Sequence, residues 1–312
     1  MKKLLVAANI LMFILLYTAN SQDTDTVNTW QVGGVAALNV SQAAFSNWAK
    51  GGESSYATTG MFNIFADRNS EHFAWENKLD LGYGVMFTEQ NGSRKTDDKI
   101  DLNSKIGYKW YENLNVTALM NFKSQFDDGY EYPNDSVVVS KFMSPADLII
   151  SLGLDWNPLP WLTLYFSPTT GKFIFVMDQT LADSGAYGVT PAVFDENGVL
   201  VTPGENIDPQ FGWYATIGIK KDLMENIQLQ SKLDLFQNYT DDNADNRMNI
   251  DVNWESTIVM KVNSLISANL FVHLIYDHDI LTPIYNDAGE VIKNAPRTQF
   301  KEVLGIGFSV KF

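Results

Sequence analysis

Apolar and polar residues alternate along most of this chain, most regularly between Asn69 and Thr88. Within that stretch one set of alternate positions is apolar and the other is charged, small or hydroxyl-bearing. The apolar set is Phe73, Trp75, Leu79, Leu81, Tyr83, Val85 and Phe87, and the polar set is Glu76, Lys78, Asp80, Gly82, Gly84 and Thr88. A period of two over this length predicts a long β-strand with two unlike faces.

The same alternation recurs often enough to predict twelve strands. They span residues 30–40, 54–67, 69–88, 99–110, 114–126, 147–156, 161–177, 210–220, 227–237, 247–261, 265–276 and 299–312. An even number of strands lets a single bacterial chain close into a barrel with both termini on the periplasmic side. The sequence therefore predicts an all-β protein, a membrane-spanning antiparallel up-and-down β-barrel of about 12 strands.

The connectors between these strands are predicted to alternate in length. Short connectors lie at residues 68–71, 112–113, 157–160, 222–226 and 262–264, and long ones at 41–53, 89–97, 127–146, 178–209, 238–246 and 277–298. Short periplasmic turns opposite long external loops are typical of outer-membrane barrels. A soluble β-sandwich has the same period, but its strands are usually nearer five or six residues, whereas crossing a bilayer at a tilt takes about ten.

The last predicted strand has an apolar face and ends in an aromatic residue. The residues on that face are Phe300, Leu304, Ile306, Phe308, Val310 and Phe312. This arrangement resembles the C-terminal signal by which bacterial outer-membrane barrels are recognised for assembly, with Phe308 and Phe312 at its aromatic positions. The resemblance implies two partners, the lipid bilayer and the barrel-assembly machinery.

The first residues predict export. Met1 to Lys3 supply a positive segment, Leu4 to Tyr17 an apolar run and Ala19 to Ser21 a small-x-small cleavage site. An apolar run of about 14 residues is short for the roughly 20 that a membrane helix needs. We therefore expect a signal peptide at residues 1–21, a periplasmic segment at 22–29, a barrel at 30–312 and a location in the cell outer membrane.

Composition restricts how the protein is stabilised and what it binds. Aromatic residues make up 13% of the chain and cysteine is absent, so stability must come from strand pairing and packing rather than disulfides. The formal net charge is −15 at pH 7, and it is more negative still once Lys2 and Lys3 leave with the signal peptide. An excess of acidic residues argues against nucleic acid as a partner.

The inward face of the predicted barrel carries charges of both signs. The candidate lumen residues are Glu76, Lys78, Asp80, Lys99, Asp101, Lys105, Lys109, Lys123, Asp251 and Glu255. Such charges could pair and close the interior, or they could line a narrow wet channel. Because the lysines fall on three consecutive predicted strands, we expect one wall that sets the ion selectivity of any narrow path.

Two kinds of loop stand out. The segment from Ser41 to Glu53 contains Phe45 and Trp48, which are too apolar for a free surface loop, so we expect it to fold inward as a plug or to form a short helix. Residues 195–198 (Asp-Glu-Asn-Gly) and 286–289 (Asn-Asp-Ala-Gly) are turn signals and predict small surface hairpins.

Catalytic chemistry has little support. His273 is predicted to face inward near Asn269 and Ser267, so a lipid hydrolase is a distant alternative, but no motif indicates an activated serine. Asp277, His278 and Asp279 are three ligand candidates in one loop, a weak signal for a divalent cation. We predict a protein that is not an enzyme, with no metal site and no cofactor.

Several short motifs resemble a Bacteroidota outer-membrane family of unknown function, domain-of-unknown-function family 3078. They are residues 38–39 (Leu-Asn), 41–48 (Ser-Gln-Ala-Ala-Phe-Ser-Asn-Trp), 51–52, 95–98, 124–126, 129–130, 144–145, 167–168, 171–172 and 187–189. The resemblance implies a barrel and an outer-membrane address without an assigned reaction. Two functions remain open, a narrow or gated porin-like conduit for small solutes and a non-conducting structural or assembly partner of other envelope proteins.

Overall fold

A computed structural model of the chain describes residues 30–44, 54–132, 134–286 and 291–312. The strands are β1 (Trp30–Ala43), β2 (Ser55–Asn69), β3 (Phe73–Thr88), β4 (Gly92–Tyr111), β5 (Leu114–Ser124), β6 (Gly129–Tyr130), β7 (Val138–Ser140), β8 (Ala146–Leu159), β9 (Leu162–Phe175), β10 (Val193–Phe194), β11 (Leu200–Thr202), β12 (Ile207–Met224), β13 (Ile227–Asn238), β14 (Asp251–Lys261), β15 (Ile266–Tyr276), β16 (Leu281–Tyr285), β17 (Val291–Pro296) and β18 (Gln299–Lys311). The one α-helix of the described part is α1 (Gln179–Asp183), and short 3₁₀ turns lie at Ala186–Gly188 and Asn246–Met248.

Twelve of these strands form one closed barrel. Their order around the ring is β1, β18, β15, β14, β13, β12, β9, β8, β5, β4, β3 and β2, and the remaining strands form three small hairpins in loops. Each barrel strand runs antiparallel to both neighbours, including the closing pair of β1 and β18. The predicted up-and-down barrel of twelve strands is confirmed. In the described part of the chain, no helix is long and apolar enough to cross a membrane.

The connectors divide the barrel into two unlike ends. At one end, called the terminal end because Trp30 and Phe312 lie there, the turns comprise only residues 70–72, 112–113, 160–161, 225–226 and 262–265. At the opposite end, called the loop end, the connectors comprise 44–54, 89–91, 125–145, 176–206, 239–250 and 277–298. The prediction of a long loop at residues 89–97 is wrong, because only residues 89–91 connect β3 and β4. The ladder between β3 and β4 continues to Thr88 and Gly92, so these strands extend as a hairpin where the sequence pattern loses its period at a bulge.

The loop end carries an ordered cap. Val176, Leu181, Ala182 and Val189 of loop 176–206 form a small core with Ile174 of β9. Asp178 caps helix α1 and lies 2.6 Å from the Lys141 ammonium of loop 125–145. Hydrogen bonding to Lys141 and to helix N–H groups holds the pKa of the Asp178 carboxyl below its usual value. The two predicted surface hairpins are confirmed as β10–β11 and β16–β17.

Two expectations lie outside the described residues. The proposed plug residues Phe45 and Trp48 belong to 45–53, and the signal peptide and periplasmic segment belong to 1–29.

Candidate functional site

The lumen is bridged across its full diameter by an ion pair. In the ring order β4 and β14 lie six positions apart among twelve strands, which places them on opposite walls. Lys99 on β4 and Glu255 on β14 nevertheless approach to 2.8 Å between Nζ and Oε2. A lysine and a glutamate from facing walls therefore meet inside the barrel and close this level of the lumen.

Further charged groups surround this bridge, and we call the whole set the central network. Its members are Lys99, Asp101, Lys123, Lys232, Asp234 and Glu255. Lys123 lies 3.8 Å from Asp234 and 3.9 Å from Glu255, so it can exchange between two carboxylates. Three lysines balance three carboxylates. The network has no formal net charge, and its alternative pairings are close in distance.

The central network is only partly shielded from solvent. The side chains of Lys99, Lys123 and Glu255 keep 33%, 22% and 21% of their exposure. Separating an ion pair that remains exposed to solvent costs less free energy than separating a fully buried one, because solvent screens the separated charges. Lys99, Lys123 and Glu255 are thus partly exposed to the lumen, whereas Asp101 and Asp234 of the same network are buried.

One half of the lumen is packed tightly. Leu119, Tyr165, Tyr214 and Phe236 form a buried cluster inside the barrel, supplied by β5, β9, β12 and β13. The Tyr214 hydroxyl donates to Asp234 Oδ1 at 2.8 Å, which connects this packed half to the central network. Towards the loop end, Lys172 Nζ lies 2.9 Å from Asp251 and 3.5 Å from Asp277. Aromatic and ionic packing thus fills the lumen along these strands.

The other half, along β1, β2 and β3, is looser. Lys78 pairs with Asp80 on its own strand at 2.7 Å and remains 53% exposed, and Asn63 donates to the same aspartate. Met61 and Phe65 share the inward face of β2 with Asn63 and are exposed in the lumen. A cavity of about 130 Å³ near Gln31, Asp67 and Glu76 and one of about 360 Å³ near Asn39 and Thr59 lie at the terminal and loop ends of this half.

The sequence-predicted lumen residues lie in five separate sets of contacts. Lys99, Asp101, Lys123 and Glu255 join the central network. Lys105 bonds to Asp155 at 2.6 Å and to Glu76 at 3.4 Å, and Asp251 bonds to Lys172. Lys78 and Asp80 lie on the looser half, and Lys109 donates to the backbone of Ser70 at a terminal-end turn. Some carboxylate partners of these lysines lie on the same wall, as Asp80 does for Lys78, whereas Glu255 lies on the opposite wall from Lys99.

Lys172 is a lumen residue that the alternation missed. Strand β9 shifts register between Leu152 and Leu154 of its neighbour β8, at the segment around Ser167. Counting in twos from inward Tyr165 would place Lys172 outside, whereas it is 8% exposed and paired within the lumen. A β-bulge of this kind adds one residue and reverses the faces that follow. The Ser167-Pro168 dipeptide is the local signal that could have indicated it, since proline within a barrel strand favours a bulge.

The predicted assembly residues lie at the end of β18. Phe308 is exposed on the outward face. Phe312 stacks against Phe62 with ring centroids 5.8 Å apart, and its backbone exchanges hydrogen bonds with Gly34 of β1. The terminal aromatic residue therefore closes the barrel in the folded protein, in addition to any role in assembly.

The hydrolase alternative has no geometric support. His273 Nε2 contacts Asn253 Oδ1 at 2.8 Å and lies 3.9 Å from Glu255. Ser267 is six residues away on the same strand, about 20 Å at the usual rise, so the two cannot form a nucleophile and base pair. Within residues 30–44, 54–132, 134–286 and 291–312, no group of three His, Cys, Asp or Glu side chains is arranged to hold a metal ion.

Asp279 of loop 277–298 is a titratable group outside the barrel wall whose pKa is raised. Burial, followed by repulsion from Asp277, Asp251 and Asp241, raises its pKa to about 6. Its carboxylate accepts a long 3.5 Å hydrogen bond from Gln210, and its Cβ lies beside Gly188 of loop 176–206. This carboxyl therefore changes charge near neutral pH where two loops of the cap meet.

Comparisons with known proteins found one family model and several solved structures. A family model described as protein of unknown function (DUF3078) matches residues 40–130, in agreement with the resemblance of the early motifs. An outer membrane channel from Pseudomonas putida F1 is 12% identical, with a TM-score of 0.41 over 94% of this chain and 100% of that one. No curated protein matches.

Two further solved structures are similar to this chain. The translocator domain of the autotransporter NalP from Neisseria meningitidis is 10% identical, with a TM-score of 0.35 over 98% of this chain and 97% of that one. The outer membrane channel DcaP of Acinetobacter baumannii is 7% identical, with a TM-score of 0.32 over 94% and 99%. At these scores the likenesses carry no conclusion about what this chain transports or binds. The fold and lumen together define the class, a closed twelve-stranded antiparallel β-barrel with a charge-paired interior.

Proposed function

We propose that this chain is an outer-membrane protein that acts as a narrow conduit for ions and small polar solutes, with the central network as its gate. The outward face supports placement in a membrane. Large apolar side chains remain highly exposed there, among them Leu152, Leu154, Phe300, Leu304 and Ile306 at 41–66%. A continuous belt of this kind is unfavourable in water and suited to hydrocarbon.

Aromatic residues border this belt at the terminal end. Trp30 contacts Trp75 with ring centroids 5.2 Å apart, and Phe73 contacts Tyr108 at 5.4 Å. The Trp75 indole donates to Ser104 at 3.1 Å. Rings with one polar atom bonded are typical of the interface between hydrocarbon and headgroups. The terminal end would then face the periplasm and the loop end the exterior.

The observation that carries the conduit proposal is the partly exposed ion pair between Lys99 and Glu255. A lumen meant only to be filled would gain most from apolar packing, as around Tyr165 and Tyr214. Long charged side chains that remain partly exposed and have second partners can instead separate to admit an ion and then pair again. The charge balance of the network predicts weak ion selectivity in the resting protein.

Reconstitution tests both parts of the proposal. We expect the mature protein to fractionate with outer membranes, to migrate anomalously on detergent gels when unboiled, and to show small conductance steps in planar bilayers. Recovery as a soluble periplasmic protein would contradict the membrane placement. If folded protein inserts into the bilayer but shows no conductance at varied voltage and pH, the conduit proposal is contradicted.

The packed half of the lumen favours one other function. Leu119, Tyr165, Tyr214 and Phe236 resemble the interior of a rigid barrel that carries loops rather than solutes. If folded protein does not conduct, a non-conducting partner of other envelope proteins becomes the better account, with the ordered cap at the loop end as its binding surface. Affinity capture in intact cells with and without loop 176–206 would test it.

A further inference from the structure

The seam between the first and last strands is paired over only part of its length. The ladder of β1 with β18 runs from Val35–Lys311 to Val40–Ile306. Strand β1 continues beyond Val40 to Ala43 in register with β2, and β18 begins at Gln299 in register with β15. In the continued register, residues 41–43 would face 303–305; among the described residues these two segments have neighbours on their outer sides but no ladder partner across the seam.

A cavity of about 360 Å³ lies where this ladder ends. Lumen-facing residues line it, among them Asn39, Thr59 and Lys301, and so do Val40 and Leu304, which belong to the outward face. Residues of both faces therefore border the cavity, which lies beside the edges of β1 and β18 at the point where their ladder stops.

The height of the opening follows from the strand itself. Glu302 is ten residues from Phe312 at the terminal end, which corresponds to about 33 Å along a strand and about 25 Å along the membrane normal at a tilt near 40°. An apolar band is about 25 Å tall. Glu302 therefore lies at the loop-side edge of the band, between Phe300 and Leu304 on the outward face.

The cavity lining is hydroxyl-rich and has little uncompensated charge. Ser41, Thr59 and Thr96 supply hydroxyl groups and Asn39 an amide. The Lys301 ammonium is already bonded to Asp97 at 2.7 Å. Glu302 at the rim makes no ion pair with the described residues, so the entrance carries a negative charge. Such a lining suits a head that forms hydrogen bonds and repels an anionic head.

The apolar part of the lining completes this chemistry. Val40, Val303 and Leu304 border the same cavity, and the outward surface beside it is the belt proposed to face hydrocarbon. The volume suits a small ligand, since such sites usually measure about 300–1,000 Å³. A molecule with a hydroxyl-bearing head and an aliphatic chain would match both parts.

We propose that the open segment of the β1–β18 seam is a lateral portal, through which an uncharged amphiphile with a hydroxyl-bearing head passes between the lumen and the outer leaflet. The portal rests on the membrane placement proposed above but not on ion conduction. A barrel that passes no ions can still admit an amphiphile sideways, and the two proposals fail independently.

Photolabelling tests the ligand class. The full mature protein in lipid nanodiscs is exposed to a dodecanol analogue with a diazirine in its chain, and labelled peptides are mapped by mass spectrometry. We expect labels on the lumen-facing segments around Thr59 and Thr96, competed by monododecanoylglycerol more strongly than by dodecanoate. Glu302→Gln should reduce the difference in competition between monododecanoylglycerol and dodecanoate. The control Lys220→Gln, on a distant strand, should leave that difference unchanged. Labels confined to outward residues, or equal competition by the two amphiphiles, would overturn the proposal.

Cross-linking tests whether the ligand enters through the seam. The chain contains no cysteine, so introduced cysteines are the only thiols. Ala37 and Ser309 face each other in the paired part of the seam. Gly34 and Phe312 exchange both backbone bonds, so Ala37 and Ser309 form a non-hydrogen-bonded pair, whose close Cβ atoms favour a disulfide. Ala43 and Val303 would form a facing pair like Ala37 and Ser309 only if the ladder continued past Val40. The A37C/S309C control should therefore oxidise readily and A43C/V303C slowly.

Locking the seam gives the decisive result. Joining A43C/V303C with a short bismaleimide should abolish labelling near Thr59, whereas the oxidised A37C/S309C control should retain it. If A43C/V303C forms its disulfide as fast as the control, the seam is paired at this position and the portal proposal is overturned. Undiminished lumen labelling after locking would do the same, because the probe would then enter from the aqueous mouth.

Discussion

Replacing Glu255 with glutamine removes the carboxylate that bridges the lumen. At the observed 2.8 Å from Lys99, the gross attraction is about 6 kcal/mol for an effective dielectric constant near 20. The net loss is smaller, because Lys99 keeps Asp101 at 3.6 Å and Lys123 keeps Asp234 at 3.8 Å. We expect unfolding to become easier by about 1–3 kcal/mol, below the 3–5 kcal/mol typical when a fully buried pair loses one partner.

The same change should open the conduit. Single-channel conductance of Glu255→Gln should rise, and its reversal potential in a salt gradient should shift towards anion preference, since the lumen gains one uncompensated lysine. Urea unfolding followed by gel migration measures the stability change. Lys78→Gln is the matched control, because it removes a charge whose partner Asp80 lies on the same strand and does not cross the lumen.

A double variant separates blocking from charge. Lys99→Gln combined with Glu255→Gln removes both ends of the bridge and leaves the lumen neutral, so we expect raised conductance without the shift in selectivity. If Glu255→Gln conducts no better than the Lys78→Gln control, the bridge does not close the lumen and the gating argument is refuted.

Three further predictions concern the seam, the cap and the packed lumen. Phe312→Ala should lower the unfolding free energy by about 1–2 kcal/mol through loss of the ring contact with Phe62 and some apolar burial, measured by urea titration, with an unchanged midpoint contradicting it. The raised pKa of Asp279 means that ionising this carboxyl destabilises the folded cap. The destabilisation is absent below the unfolded-state pKa near 3.8, grows as the pH rises and is complete above about 6. Proteolysis of the loops should therefore be slower at pH 5 than at pH 7.5, and Asp279→Asn should remove this pH dependence. Tyr214→Phe should cost about 1 kcal/mol through the lost hydrogen bond to Asp234, whereas Tyr214→Ala should cost about 3–5 kcal/mol through the cavity; equal effects would show that packing does not matter there.

The sequence alone was sufficient for the number of barrel strands, their approximate bounds and most of their inward faces. Alternation is local, because successive side chains of a strand point to opposite sides whatever the strand pairs with. Lys99, Asp101 and Glu255 could therefore be assigned to the lumen from their own strands. The same local rule failed at Lys172, where a bulge reversed the faces, and at residues 89–97, where strands continued through a bulge near Thr96.

Only the tertiary structure decided which inward groups meet. Lys99 and Glu255 are 156 residues apart in the chain, and their contact depends on closure of the ring, which places β4 opposite β14. The period of two holds no information on the stagger between strands, so it could not divide the lumen into a packed and a looser half. Nor could it predict where pairing of β1 with β18 stops, because that seam joins the two ends of the sheet and its register depends on the closure of all twelve strands.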